Sequence, residues 1–112
     1  MKFKNYDLAW TSNNLSASRT TDYENLDQDA GFSLQVVFSG TALNGSFKLQ
    51  ASNDSTNWTD LPSSSQAISA LTGASSVIWN IDAAYYNYVR AAWTFTSGAG
   101  TISVSKLTVK AG

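Results

Sequence analysis

The sequence predicts an all-β fold, namely an antiparallel β-sandwich or jelly roll of about eight short strands. Two observations support this prediction. Apolar and polar residues alternate with a period of two in several segments, whereas the 3.6-residue period of an amphipathic helix is hard to find. Ser and Thr supply about a quarter of the chain and charged residues only 13%, which suits strands better than exposed helices rich in Glu, Lys and Arg.

The clearest strands lie in the middle of the chain, over residues 31–40 and 44–52. The linking sequence "SGTALNGS" is rich in turn residues, so we expect the two strands to form an antiparallel pair around it. The residues predicted to face the core are Phe32, Leu34, Val36, Phe38, Phe47, Leu49 and Ala51.

A second hairpin is predicted in the C-terminal third, where "YVRAAWTFTS" and "TISVSKLTVK" flank the turn sequence "GAG". The apolar residues of its second strand change phase, because Ile102 and Leu107 have opposite parity. This change indicates a β-bulge near Ser105 or Lys106 that restores the apolar face. The alternative is a strand buried on both faces.

The other segments give shorter or weaker patterns. Residues 63–76 are compatible with a short strand or with one helical turn, and Pro62 marks a strand edge or end because it cannot donate a ladder hydrogen bond. The acidic stretch before Phe32 is expected to be a loop. Further strands are expected over residues 6–10, 14–20, 58–62 and 76–81.

Length and charge limit the functions that need to be considered. The 112 residues suit one domain, residues 1–112, with a single core. The formal charge is -1 and neither sign forms a long run, so nucleic acid and anionic membranes are disfavoured as partners. No stretch approaches the roughly 18 apolar residues of a membrane-spanning helix. We expect a soluble protein.

The chain has neither histidine nor cysteine. Their absence rules out Ser-His-Asp triads, Cys-His dyads, histidine or thiolate zinc sites and imidazole acid–base catalysis. We therefore predict a protein that is not an enzyme and needs no cofactor or metal.

One acidic segment is a weak candidate for a metal or catalytic site. Asp22, Glu24, Asp27 and Asp29 fall within eight residues, and their oxygens could bind calcium or act in glycoside hydrolysis. The spacing does not match an EF-hand loop, and glycosidase carboxylates usually need a larger cleft. We favour a solvated loop, and calcium binding stays open as the alternative.

The first candidate binding site is the loop "NDSTNW", with Asn53, Asp54, Asn57 and Trp58. A polar rim beside an aromatic ring is how many lectin-like modules hold a sugar. The alternative, which we favour, is a hairpin turn with Trp58 folded back onto the core. Core positions are likewise expected for the other tryptophans, Trp10, Trp79 and Trp93.

The second candidate site is an interface formed by Tyr86, Tyr88 and Arg90. Their parity is opposite to that of Val89, so they are expected on the outer face of the strand. Tyr and Arg are enriched at protein interfaces. An equally good alternative is a tyrosine cluster that caps a loop.

Three features in order resemble a known class of proteins: "GSFKLQASNDSTNWTDLP", then a "WN" strand, then the "Y-x-YVR" and "T-SG-GT" patterns of "VIWNIDAAYYNYVRAAWTFTSGAGTISV". Together they resemble small β-sandwich proteins or modules of tailed bacteriophages, which are similar in outline to discoidin-like or jelly-roll sandwiches. The resemblance covers residues 31–105, and the first thirty residues show no match.

The resemblance implies a virion component: a capsid decoration protein, a fibre component or a tail module that contacts other virion proteins. It brings no catalytic residues. Because edge strands can pair with a neighbour, we also expect a homo-oligomer, for example a trimer. The alternative function is a carbohydrate- or receptor-binding module that recognises a surface glycan.

Overall fold

The computed structural model describes residues 3–26, 31–82 and 84–110. These residues form an all-β antiparallel structure, as predicted, without a helix. The strands are β1 (Phe3–Asp7), β2 (Arg19–Thr20), β3 (Glu24–Asn25), β4 (Gly31–Ser52), β5 (Thr59–Asp60), β6 (Gln66–Ile81) and β7 (Tyr88–Lys110).

Two long strands replace the two predicted hairpins. Residues 31–40 and 44–52 do not pair with each other, because both belong to β4. The two halves of the predicted C-terminal hairpin are likewise one strand, β7. β4 and β7 pair antiparallel with each other, from Gly31 opposite Lys110 to Ser52 opposite Tyr88. The prediction of two hairpins was wrong.

The remaining strands flank this long pair. β6 and β5 pair with β4, whereas β1, β2 and β3 pair with β7. β6 covers residues for which a helical turn was an alternative. β5 lies at an edge of the sheet, and Pro62 follows it, as expected. Within the described ranges, no helix is long and apolar enough to cross a membrane.

The sheet curls back on itself within β4. Phe38 and Phe47 are nine positions apart on this strand, a separation of roughly 30 Å in a straight strand. Their ring centroids are nevertheless only 4.9 Å apart. The two halves of the sheet therefore face each other and enclose the core between them, as in a sandwich.

At the curl, the registers of β4 with β6 and with β7 shift. Hydrogen bonds from side chains there replace the regular backbone bonds between strands. Asn44 Nδ2 donates to the carbonyl of Ala42 and to Ser97 Oγ, and Asn44 Oδ1 accepts from the amide of Ala70. Thr72 Oγ1 accepts from the amide of Ala42, whose φ is 48°. These bonds satisfy backbone groups that a break in the ladder would otherwise leave open.

The core contains three tryptophans, as predicted. Trp10, Trp79 and Trp93 are at most 7% exposed. Trp93 Nε1 donates to the carbonyl of Leu15, and Trp79 Nε1 to that of Ser64, so both indoles satisfy their one donor inside the protein.

The predicted bulge exists but lies two or three residues earlier. Val37 is opposite Val104 and Phe38 is opposite Ile102, so Ser103 is the extra residue. The bulge turns Val104 to solvent and restores the inward face for Leu107 and Val109.

Candidate binding surface

An aromatic–arginine cluster lies on the outer face of the sheet, formed by Tyr23, Trp58, Tyr88 and Arg90. Tyr88 and Arg90 lie on β7, where the buried Val89 fixes the alternation and directs them outward. Trp58 immediately precedes β5, and Tyr23 immediately precedes β3. Strand pairing thus brings together residues from three distant parts of the chain.

The four side chains touch in sequence. The Arg90 guanidinium carbon lies 4.3 Å from the centroid of the Trp58 ring, a cation–π arrangement. The Tyr23 ring centroid is 5.8 Å from that of Trp58 and 5.3 Å from that of Tyr88, with an edge-to-face angle of 84° to Tyr88. Tyr23 is 49% exposed, so the cluster is ordered by its own contacts and still open to solvent.

A polar chain holds Arg90 over the indole. Arg90 Nε donates to Gln50 Oε1 at 2.8 Å, and Gln50 Nε2 donates to Asp60 Oδ1 at 2.9 Å. Lys48 Nζ lies 2.9 Å from Asp60 Oδ2. Bonds from Gln50 and Lys48 lower the pKa of Asp60, which keeps the carboxylate ionised. Burial lowers the pKa of Arg90 without removing its charge.

The neighbouring loop at residues 53–57 is built around Asp54. The Asp54 carboxylate accepts hydrogen bonds from the amides of Thr56 and Asn57, from Asn57 Nδ2 and from Ser52 Oγ. These bonds, with those from Asn57 the largest, hold the pKa of Asp54 far below its usual value. The carboxylate is therefore engaged in forming the turn.

The loop is also fastened to the segment before β7. The amide of Asn87 donates to Asn53 Oδ1, and Asn87 Nδ2 donates to the carbonyl of Asn53. A shallow cavity of about 380 Å³ lies beside it, lined in part by Asn53, Asp54, Asn57 and Tyr86.

The structure joins the two predicted sites into one surface. Trp58, from the first, stacks with Arg90, from the second. The predicted hairpin turn is confirmed, because the loop joins the antiparallel strands β4 and β5. The predicted position of Trp58 on the core is wrong, because Trp58 lies outside the buried cluster. Tyr23 was missed. It lies in the acidic stretch that we took for a loop, where no alternating pattern marks a face.

Tyr86 departs from the predicted outer face. β7 begins at Tyr88, so the alternation of the strand does not extend back to residue 86. The Tyr86 ring instead packs edge-on against Phe32, with centroids 6.4 Å apart, at the margin of the core. This burial raises the pKa of its phenol.

The acidic segment is only partly described. Asp27 and Asp29 lie outside the described residues. Asp22 is exposed, and Glu24 is part of β3. Among the residues that the structure does describe, no group of three or more Asp, Glu, His or Cys side chains is placed to hold a metal ion.

Comparison with known proteins finds solved structures that are similar to this chain. No family model matches the chain, and no curated protein matches it in sequence. One similar structure is the SPBc2 prophage-derived protein YomS, which is 14% identical with a TM-score of 0.59, over 97% of this chain and 95% of that one.

Two further solved structures are similar to this chain. The Tobacco streak virus coat protein dimer is 8% identical with a TM-score of 0.56, over 98% of this chain and 84% of that one. The Arthrobacter globiformis T6 isomalto-dextranase complexed with panose is 11% identical with a TM-score of 0.56, over 94% of this chain and 23% of that one. At such identities the likeness shows a shared all-β fold.

Proposed function

We propose that the chain is a non-enzymatic structural protein of a bacteriophage virion, a capsid decoration protein or a head or tail fibre component. It binds other virion proteins through the aromatic–arginine cluster. The observation that carries this proposal is the cluster itself: three aromatic rings and one arginine that touch in sequence outside the core.

The composition and rigidity of the cluster fit a protein partner. Tyr, Trp and Arg are the residue types that dominate the binding energy of protein interfaces. Strand pairing positions Tyr88 and Arg90, and Gln50 fixes the Arg90 side chain by a hydrogen bond. Binding therefore costs little side-chain entropy, because the geometry exists before the partner arrives.

The shared fold supports the virion assignment. The likeness to a prophage-derived protein extends over nearly the whole of both chains, and a viral coat protein has a similar fold. A β-sandwich without cysteine suits a particle outside the cell, because its stability depends on no redox condition.

The carboxylates near the cluster suit a binding role better than acid–base catalysis. Asp54 accepts four hydrogen bonds and Asp60 two, and those bonds lower the pKa of each. An efficient general acid or base needs a pKa near the operating pH, and a lowered carboxylate pKa moves away from it. Both residues therefore serve to order the surface.

Mass spectrometry of purified phage particles, with copy number, tests the proposal. We expect the chain in a fixed ratio to the major capsid or fibre protein. The double variant Trp58→Ala/Arg90→Ala should remain folded and fall at least tenfold in copy number. Tyr85→Ala is the control, because Tyr85 is 93% exposed and outside the cluster. A chain absent from particles, or present equally in both variants, contradicts the proposal.

The second candidate function is glycan binding, favoured by the exposed ring of Tyr23 beside Trp58. Aromatic faces with polar neighbours bind sugars. A glycan array tests this alternative. The parent protein should bind at least one glycan, and a folded Trp58→Ala variant should lose that signal. A parent without signal removes the alternative.

A further inference from the structure

The outer edge of β6 is open to another strand. Within the described residues β6 pairs with β4 alone, so no strand lies along its other side. The other edge strands are short or charged: β2, β3 and β5 have two residues each, and β1 carries Lys4 and Asp7. β6 has 16 residues and none is charged.

An open edge of this kind is unusual, because natural sheets normally protect their edges with charges, proline or bulges. In β6 the only such device is the bend at Ala70 and Gly73, whose φ angles are 46° and 113°. Beyond the bend, residues 74–81 pair with β4 without a register shift, from Ala74 opposite Ser39 to Ile81 opposite Phe32. This stretch is an uninterrupted, uncharged template for pairing.

Ile78 lies at the centre of the template on its outer face. Trp79 is buried beside it on the inner face. Ile78, in contrast, is 51% exposed. A large aliphatic side chain in the middle of an open edge marks a position that a partner would cover.

We propose that two copies of the chain pair edge to edge through residues 74–81, antiparallel and about a twofold axis at Ile78. This axis is perpendicular to the sheet, so the core-facing sides of both copies lie on the same side of the joined sheet. Ile78 lies on the axis and is therefore opposite Ile78 of the second copy. The four strands β1, β7, β4 and β6 then continue into the same four strands of the second copy.

The side chains in this register are complementary. Ile78 contacts Ile78 of the second copy, with Cβ atoms about 5 Å apart. On the outer face Ser76 lies opposite Asn80 of the second copy, and the two can form a hydrogen bond. On the inner face Val77 lies opposite Trp79 of the second copy, a β-branched and aromatic pair of the kind that stabilises sheets.

The absence of charge permits a second copy as the occupant. No residue from Leu61 to Ile81 is charged, so self-pairing brings no like charges together. The nearest charge, Asp82, is opposite Ala74 of the second copy and roughly 25 Å along the strand from Asp82 of that copy.

The dimer is independent of the proposed virion role. Residues 74–81 pair with the first half of β4, whereas the aromatic–arginine cluster lies beside its second half. If the protein is a dimer but is absent from particles, the virion proposal fails and the dimer proposal stands. If it is a monomer and is found in particles, only the dimer proposal fails.

Symmetric cross-linking tests the register, because the natural chain has no cysteine. In the dimer, Cα atoms of residue 78 are about 5 Å apart, within the range of a disulfide, whereas those of residue 76 are offset by about 13 Å. Ile78→Cys should therefore form a covalent dimer rapidly under a mild oxidant, and Ser76→Cys should not. Equal rates for the two variants overturn the proposal.

Light scattering with size-exclusion chromatography tests the association itself. The parent protein should have twice the mass of one chain, and Ile78→Lys should have the mass of one chain, because two ammonium groups would face each other. Val104→Lys is the matched control, since Val104 is 44% exposed on β7, which is interior to the sheet. A monomeric parent, or a dimeric Ile78→Lys with a native circular dichroism spectrum, overturns the proposal.

Discussion

Arg90 of β7 lies over the ring of Trp58, with its guanidinium carbon 4.3 Å from the ring centroid. The contact joins the central strand of the sheet to the end of the loop that precedes β5. It also joins two residues that the sequence presents as members of separate sites. The aromatic–arginine cluster forms only when β7 and the loop before β5 are both in place. The strength of the Arg90–Trp58 contact therefore reports whether the cluster is formed.

A double-mutant cycle should detect the coupling between Trp58 and Arg90. We expect Trp58→Ala and Arg90→Ala to be non-additive in the free energy of unfolding by about 0.5–1 kcal/mol, the strength of an exposed cation–π contact. Urea denaturation of the four proteins gives the value. A parallel cycle of Arg90 with Tyr85 should be additive, because Tyr85 is 93% exposed. Coupling near zero for the Trp58 cycle would mean that the stack is absent in solution.

Substitution of Trp93 should be the most damaging change to a tryptophan. Trp93 is 1% exposed, its ring centroid is 4.6 Å from that of Phe47, and its Nε1 donates to Leu15. Trp93→Ala should lower the free energy of unfolding by about 3–5 kcal/mol. Trp58→Ala, outside the core, should cost about 1 kcal/mol or less. Similar losses for both variants would contradict the described core.

Gly45 is required because no side chain fits there. A Cβ atom on Gly45 would lie 2.5 Å from the Trp93 ring and 2.3 Å from the carbonyl oxygen of Thr94. Gly45→Ala should therefore destabilise the fold by about 1–3 kcal/mol, the usual cost of overpacking. Ser46→Ala, at the next position, should change the unfolding midpoint little. The measurement is thermal unfolding, and a neutral Gly45→Ala would place this close approach in doubt.

Asp54 should give stability that depends on pH. Its folded pKa is lowered from 3.8 chiefly by hydrogen bonds from Asn57, so its contribution is complete above 3.8 and is lost as the pH falls toward the folded pKa. Asp54→Ala should be less stable than the parent at neutral pH. The difference in melting temperature should stay constant down to about pH 5 and shrink below 3.8. A difference that does not change with pH would show that the carboxylate charge is unimportant to the loop.

The sequence predicted the strands better than their connections. The alternation from Phe32 to Phe38 correctly identified the inner face, because burial of one face of a strand imposes a period of two. The glycine and asparagine between the predicted strands were interpreted as hairpin connections. Around Ala42 and Asn44 the chain instead curls within one strand, stabilised by bonds to the distant Ser97 and Thr72. Local composition carries no information about such partners.

The binding surface was predictable only in part. The parity of Tyr88 and Arg90 placed them correctly, because both lie on a regular strand. Tyr86 lies just before that strand, where the alternation no longer applies. Tyr23 joins the cluster through the pairing of β3 with β7, a contact between segments more than sixty residues apart that no local pattern reveals.

The central position of β7 affects the order in which the protein can fold during synthesis. β7 pairs with β1, β2, β3 and β4, yet it follows all of them in the chain. A nascent chain that has not yet released β7 from the ribosome leaves β4 without one neighbour and the three earlier strands without any. β1, β2 and β3 remain unpaired until β7 emerges from the ribosome. Most of the sheet can therefore form only after β7 has been synthesised, and until then β4 has β5 and β6 as its only strand partners among the described residues.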